Sequence, residues 1–448
     1  MPASPSLLIV PARFKTGKLY TQIATTSAGV VLASSGDFNV TRATTATRFN
    51  SAGLIESVAS GVPRLDYFTS GGTAGCPALL VEPSAANGIL NSQDTATNWT
   101  LGANLTSGYT DVIGVSGNNL TVAASGSSIG SAAGRLVRFA NNVALASGST
   151  YTISFLLRQT GTHTIGGYYA AITGAASGDL GGAFDVSGSF SSGSIFNTAG
   201  TTSRIRRVEK FGTDVYRCSE TFTMTASGTL TAISLGPTVS VVSSNNSAIG
   251  TQIAFAAPQI ELGSIPTSFI PTTTGSATRN ADVVTLSGAV SGCIGQTEGT
   301  IYAEFRYLGR ETTRAGIVYL RQTASRGFGI SLVSNAISFI SRNTSGTSSI
   351  TLVNGLTFGT YYKIAIAYDA NGTAAGGTEV SGVTAYVNGS PANVSVGDLR
   401  VPDATITEIR LYGAVSGSDT ETANANIRAV ALYTTRLTNA ELAALTTL

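Results

Sequence analysis

One histidine, His163, stands in the run Gly161-Thr-His-Thr-Ile-Gly-Gly167. A single imidazole cannot build a multi-histidine metal site, and Cys76, Cys218 and Cys293 contain no closely spaced pair of zinc-ligand type. A serine triad would have to draw on His163, yet no nucleophile elbow on a strand-to-helix turn accompanies it, and no phosphate-binding G-x-x-x-x-G-K-[ST] run occurs. Glycan cleavage needs only two carboxylates. Glu304, Glu311, Asp369, Asp403 and Glu408 are the candidates, but Glu304 alternates with the buried positions of a strand and Asp369 opens a turn, both ordinary places for outward-facing acids. Sugar binding asks for aromatic faces that stack on pyranose rings, with a few polar groups beside them. Trp99, the sole tryptophan, and the pair Tyr168-Tyr169 are the candidate glycan-binding residues. The expectation is therefore a protein with no catalytic residue, no metal and no cofactor.

The elements that would carry these side chains are strands. Only 11% of the 448 residues are charged and 52 are glycine, while 42% are apolar and 17 Phe and 16 Tyr are present, enough for a chain that collapses. Tyr151, Ile153, Phe155 and Leu157 alternate with Thr152, Ser154, Leu156 and Arg158, placing one apolar set on the inner face of a strand. Comparable strands are expected near 134–139, 215–224, 229–235 and 251–262. A second set follows: Ile301, Ala303, Phe305 and Tyr307; then Tyr362, Ile364, Ile366 and Tyr368; then Val383, Ala385 and Val387 running into the hairpin signal Asn388-Gly389. No amphipathic crossover helix separates the strands, so sandwiches are favoured over a parallel α/β sheet. One helix is expected at the C-terminus, with Thr438 as N-cap, Glu441 completing a capping box, and Leu437 and Leu442 in the staple positions.

Pro258, Pro266 and Pro271 interrupt the chain between the two strand sets, since each fixes φ and lacks a ladder donor. The predicted organisation is all-β: an extended N-terminal arm over 1–95, a β-sandwich of jelly-roll type over 96–272, a second over 273–448, and a short C-terminal helix. The arm shows no self-contained core and is expected to order against a partner.

Net charge is +2 with no block of like charges, and the densest basic run is Arg204-Ile-Arg-Arg207, which argues against nucleic-acid binding. An odd number of cysteines and a start without a basic-then-apolar leader suggest synthesis in a reducing cytoplasm, and no apolar run approaches the ~20 residues that span a bilayer.

Three stretches carry a resemblance. Gln259, Glu261, Gly263, Ser268, Phe269, Ile270, Pro271 and Thr272, followed by Thr278, Arg279, Ala281 and Asp282, form the first. Thr41, Arg42, Ala43, Ala46, Thr47, Gly53, Ile55, Pro63, Arg64, Asp66 and Tyr67 lead to Leu79, Leu80, Glu82 and Pro83 in the second, with Ala86-Asn87-Gly88 where the pattern has Thr-Asn. The third is the C-terminal run from Arg428 to Leu442. Together these resemble segments of bacteriophage tail or head fibre and head-spike proteins that carry carbohydrate-binding-like and concanavalin A or laminin-G-like sandwiches. The resemblance implies a non-enzymatic virion protein, anchored to other virion proteins through its N-terminal arm, contacting host-surface glycan and assembling as a homo-oligomer, with a trimer favoured. Two alternatives stay open: a purely structural decoration or adaptor, and a polysaccharide depolymerase.

Overall fold

The computed structural model describes residues 4–20, 22–23, 37–68, 75–95, 99–124, 136–174, 178–187, 192–198, 200–237, 248–287, 292–310, 314–323, 326–333, 335–369, 382–392, 405–413 and 423–448. Among them the chain is nearly all strand, with one helix, Asn439–Thr446.

Two sandwiches are present. In the first, a six-stranded sheet runs in the order Thr100–Leu101, Leu136–Leu145, Gly228–Pro237, Ile165–Gly174, Gly178–Asp185, Ser192–Thr198. It faces a second six-stranded sheet in the order Leu105–Val112, Val115–Val122, Gln252–Leu262, Thr150–Gln159, Val215–Met224, Thr201–Lys210. Tyr151, Ile153, Phe155 and Leu157 point into the core between them, as their alternation predicts. Leu156 is buried as well, because the outer face of its sheet is also covered.

The second sandwich is assembled from both ends of the chain. One sheet contains Ser390–Pro391, Val383–Val387, Tyr361–Asp369, Glu298–Arg310 and Ala423–Tyr433, and continues through Leu7–Ile9 to Gln22–Ile23, with Ala78–Val81 and Leu65–Asp66 added beside the last long strand. The facing sheet runs from Phe14–Lys15, Lys18–Leu19 and Phe38–Thr41 through Val283–Ser287, Glu408–Gly413, Arg314–Thr323, Arg326–Val333 and Ala336–Asn343 to Gly346–Asn354. Ile301, Ala303 and Phe305 share its core with Leu7, Ile9, Leu19, Phe38 and Val40, all at most 2% exposed. Asn388 and Gly389 turn the expected hairpin at φ 51° and 81°.

The N-terminal expectation therefore needs correcting. Residues 1–95 are not an extended arm awaiting a partner: most of their described strands complete the second sandwich, pairing Leu7–Ile9 with Val430–Leu432 and Asn39–Thr41 with Val283–Thr285. The apolar surface that the segment cannot bury by itself is buried against residues 273–448. The first sandwich is consequently an insertion between two halves of the second.

The two sandwiches stack face to face. The sheet containing Thr150–Gln159 turns its outer face, with Leu156, Val215, Ala254 and Ala256, toward the hairpin formed by Ala46–Phe49 and Ile55–Val58 and toward the proline-rich linker at Phe269. Phe49, Phe68 and Phe211 pack as a triangle there, with ring centroids 5.0–5.2 Å apart. Beyond the hairpin lies the outer face of the sheet containing Ala423–Tyr433. Its remaining area is covered by the helix, where Tyr302, Tyr386 and Tyr433 cluster with Leu437 and Leu442. The capping box is formed as predicted, with the Glu441 amide donating to Thr438 Oγ1 and the Thr438 amide donating to Glu441 Oε2 at 2.9 Å.

Candidate functional site

The polar residues of the two sequence signatures converge in one place, the seam where hairpin, linker and both sandwiches meet. Arg64 is its centre and is wholly buried. Its Nη1 donates to Glu82 Oε2 at 2.6 Å, to Ser268 Oγ at 2.8 Å and to the Thr47 carbonyl at 3.1 Å, and its Nη2 pairs with Asp282. Arg42 holds the other oxygen of Asp282 at 2.8 Å and donates to the Ala59 carbonyl at 2.6 Å. Arg279 ion-pairs with Glu82 at 3.0 Å and donates to Thr267 Oγ1 and the Pro83 carbonyl. Glu82 in turn accepts the Ser268 amide at 2.7 Å.

A second layer extends along the linker. Glu261 accepts the Thr267 amide at 3.0 Å, and Gln259 accepts the Ile270 amide at 2.7 Å. Asn87, which follows Ala86 where the resembled pattern has Thr, donates to the Ile270 carbonyl at 2.9 Å and to the Pro258 carbonyl at 3.2 Å. Pro266 and Pro271 lie in a stretch that pairs with no strand, and its backbone groups are satisfied by side chains, whereas Pro258, expected to interrupt the chain, sits inside the strand Gln252–Leu262 at a bulge in its pairing with Thr150–Gln159.

Electrostatics follow from burial and pairing. Burial would push the Glu82 carboxyl up, but Arg279 and Arg64 overcome it and hold the group at about 2. Burial works against the charge on Arg64 too, yet Asp282 and Glu82 outweigh it and raise its pKa. Burial raises Glu261. Asp66, which accepts the Phe49 amide at 2.7 Å and Asn426 Nδ2 at 2.9 Å, is pushed up to about 6, chiefly by burial. The carboxylates of the cluster all accept from internal donors, while Nε of Arg64 and of Arg279 is buried without a hydrogen-bond partner among the described residues, and the cluster fastens the chain. Its residues were visible in the sequence as a pattern; that they form one buried network was not, because the links between the two segments span 186 to 240 positions.

Next to the cluster lies a cavity of about 70 Å³, bounded among others by Phe49, Phe68, Phe211, Asp66, Arg306 and Asn424. It has room for a few waters at ~10–15 Å³ each and is too small for a sugar ring. Glu209 bridges Arg217 at 2.7 Å and Arg306 at 2.8 Å across it, joining the two sandwiches.

The residues singled out for sugar stacking are distributed differently than expected. Tyr168 is fully buried between the sheets of the first sandwich, its ring centroid 6.3 Å from that of Phe155. Trp99 is 7% exposed, packs in the same core, and donates its indole N–H to the Asn91 carbonyl at 3.1 Å. Neither can present a ring face to a ligand. Tyr169, next along the strand, points the other way and is half-buried on the outer face of its sheet, opposite Ser234 and Gly181. His163 accompanies Thr160, Thr162, Thr251 and Gln252 in a shallow groove of about 360 Å³ at one end of this sandwich, its Nε2 2.7 Å from the Ile165 carbonyl. A second groove of about 500 Å³, with Asn354, Asn388, Ser390 and Tyr362 in its walls, lies at the edge of the second sandwich. Among the described residues, neither groove has an Asp, Glu, Lys or Arg in its lining.

Among the described residues the carboxylate candidates Glu304, Asp369 and Glu408 do not converge. Glu304 lies on the outer face of one sheet, 2.9 Å from Arg428, whereas Glu408 sits on the facing sheet, 3.1 Å from Arg321. The cores of both sheets lie between them. Asp369 pairs in register with Glu298, six residues along the strand from Glu304, or roughly 20 Å at ~3.4 Å per residue. Paired glycosidase carboxyls stand about 5–9.5 Å apart. Glu311 and Asp403 lie outside the described residues. Among the described residues no group of three or more His, Cys, Asp or Glu could hold a metal ion, and the three cysteines form no disulfide.

No protein-family model matches the chain, and no curated protein matches it. Among solved structures it is similar to a Ruminococcus gnavus IT-sialidase CBM40, at 14% identity and a TM-score of 0.28, covering 34% of this chain and 85% of that one. It is also similar to the leech intramolecular trans-sialidase, at 14% identity and a TM-score of 0.28, covering 36% of this chain and 26% of that one. The K499G mutant of NanB sialidase from Streptococcus pneumoniae matches at 13% identity and a TM-score of 0.29, covering 36% and 26%. The assignment of architecture rests on the sheets themselves.

Proposed function

We propose that this chain is a bacteriophage virion surface protein, a fibre or spike, that attaches to host-surface glycan and does not itself cleave it. One observation carries the reading. Most polar positions on which the sequence resemblance rests, Arg42, Arg64, Glu82, Gln259, Glu261, Ser268, Arg279 and Asp282, belong to one connected network, largely buried and linked through Thr267. Chance matches spread over 240 positions would have no reason to meet. The resemblance therefore concerns a structural unit, a weld that makes two sandwiches one stiff body, as a projecting attachment protein requires.

Because the N-terminal segment is committed to its own second sandwich, the particle-anchoring surface is a face of the folded body and not a free arm. Glycan would meet the outer face around Tyr169 and the uncharged grooves lined by hydroxyls and amides. The separation of Glu304 from Glu408 supports binding without hydrolysis.

A glycan array probed with the full chain and with Tyr169→Ala tests the binding half. Selective binding lost at least tenfold in the variant supports it; release of reducing ends from a bound polysaccharide would replace it with a depolymerase. Immunogold labelling of intact particles tests the other half. Labelling with a silent array would leave a decoration protein, and unlabelled particles would sink the virion assignment.

A further inference from the structure

The two sheets of the second sandwich part along one side, where the edge strand Gly346–Asn354 of one lies beside the hairpin that ends in Ser390–Pro391 of the other. The groove of about 500 Å³ runs between them, and its volume falls within the ~300–1,000 Å³ of small-molecule sites. Val353 and Asn354 belong to one wall, Asn388, Ser390 and Pro391 to the other, and Tyr362 lies between.

Bonds made outside the groove hold both walls. Asn388 turns in the left-handed region at φ 51°; its N–H donates to the Lys363 carbonyl at 2.9 Å and its Oδ1 accepts the Lys363 amide at 2.9 Å. Gly389, next in the turn, donates its amide to Thr446 Oγ1 of the C-terminal helix at 3.1 Å, which fixes the turn against a second element. Across the groove, the Gly355 amide donates to the Asn335 carbonyl at 3.0 Å, and the Thr357 amide donates to the Tyr362 hydroxyl at 2.9 Å. The cleft is therefore formed before a ligand arrives, and binding need not order it.

The lining is uncharged and two-sided. Val353 and Pro391 offer apolar surface to the C–H face of a sugar ring, while Asn354, Asn388 and Ser390 offer amides and a hydroxyl to its hydroxyl groups. Because Oδ1 of Asn388 is committed to Lys363, the two N–H bonds of its Nδ2 are the donors it can supply. Among the described residues no Asp, Glu, Lys or Arg lines the groove. A carboxylate or sulfate entering it would give up its water without meeting an opposite charge. The ammonium of Lys363 does not serve, since it donates to the Thr447 carbonyl at 2.8 Å.

We propose that this groove is a subsite for a neutral sugar, a hexose or N-acetylhexosamine unit, and that it selects against sugars bearing a carboxylate or sulfate. The subsite presupposes the glycan-attachment reading above, to which it adds the place and the charge class of the ligand.

Amide NMR spectra of the full chain, titrated with maltose, cellobiose, lactose, N,N′-diacetylchitobiose and digalacturonic acid, decide the matter. At least one of the four neutral disaccharides should shift the side-chain amide signals of Asn354 and Asn388 saturably, at an affinity at least about tenfold above that of digalacturonic acid. Asn388→Asp keeps an acceptor for the Lys363 amide and a residue that tolerates the left-handed turn, but it removes the Nδ2 donors and adds a charge. It should weaken the neutral disaccharide by at least about tenfold. Silence with all four neutral disaccharides, equal or tighter binding of digalacturonic acid, or unchanged affinity in Asn388→Asp overturns the proposal. A glycan array that is positive and sensitive to Tyr169→Ala, with no shift at Asn354 or Asn388, sinks the groove and leaves glycan attachment standing; a silent array with silent spectra sinks both. The titration of the unaltered protein needs no variant, so a misfolded Asn388→Asp protein would leave the test intact.

Discussion

At the scale of single residues, the seam separates side chains that hold the molecule from those that can meet a ligand. Arg64, Glu82 and Asp282 are buried together, and truncating one strands a charge in a medium that cannot solvate it. Glu82→Gln and Arg64→Met are each expected to lower unfolding free energy by about 3–5 kcal/mol, read from urea midpoints. Tyr168 and Tyr169 make a cleaner contrast, being neighbours on one strand with opposite directions. Tyr168→Ala should cost about 3–5 kcal/mol by opening a core cavity, whereas Tyr169→Ala should change stability by under about 1 kcal/mol and act on glycan binding. Alternation along the strand says that the two tyrosines face apart; which one faces the core depends on the sheet packed behind them. Trp99 illustrates the same gap, since nothing in its local sequence announces that its N–H has a buried carbonyl to reach.

At the scale of elements, several long strands and the helix could be read directly. Val215–Met224 has the bounds expected of it, the Thr438–Glu441 box caps the helix, and Asn388-Gly389 turns a hairpin. These features are local: period-two burial, a cap and a turn each depend on a few adjacent residues. The N-terminal strands were illegible for the opposite reason. Leu7–Ile9 is three residues long and lacks any period of its own, and the long strand it pairs with is over 400 positions away. Leu7→Ala, at a fully buried site, is expected to destabilise by about 2–5 kcal/mol in thermal or urea unfolding. A free arm would tolerate it without a measurable change.

At the scale of the whole molecule, two faces of two sandwiches are joined through a hairpin, a linker and a cluster of ionised groups, and this joint sets the response to acid. Glu82 is held at about 2 against an ordinary 4.5. Its folded value is depressed, so the stability it contributes is present above about 4.5 and is lost as pH falls through 2. Wild-type urea midpoints should therefore drop between pH 4.5 and pH 2, and Glu82→Gln, already weaker at pH 7, should show a shallower acid limb. Because Asp66 favours acid and Glu82 opposes it, these two groups together should make the seam firmest between about pH 3.8 and pH 4.5.

The sequence by itself determined that this protein is all-β, that it has two strand-rich regions divided by a proline-bearing linker, and that it ends in a capped helix. Those properties follow from side-chain period, backbone restriction and hydrogen bonds within a few residues. Only the tertiary structure decided that the N-terminal segment belongs to the second sandwich, that the signature residues are one buried weld, and that Tyr169 and not Tyr168 or Trp99 reaches the surface. Each of these depends on which distant segment covers a given face, and burial of that kind is a property of the assembled sheets that no local pattern contains.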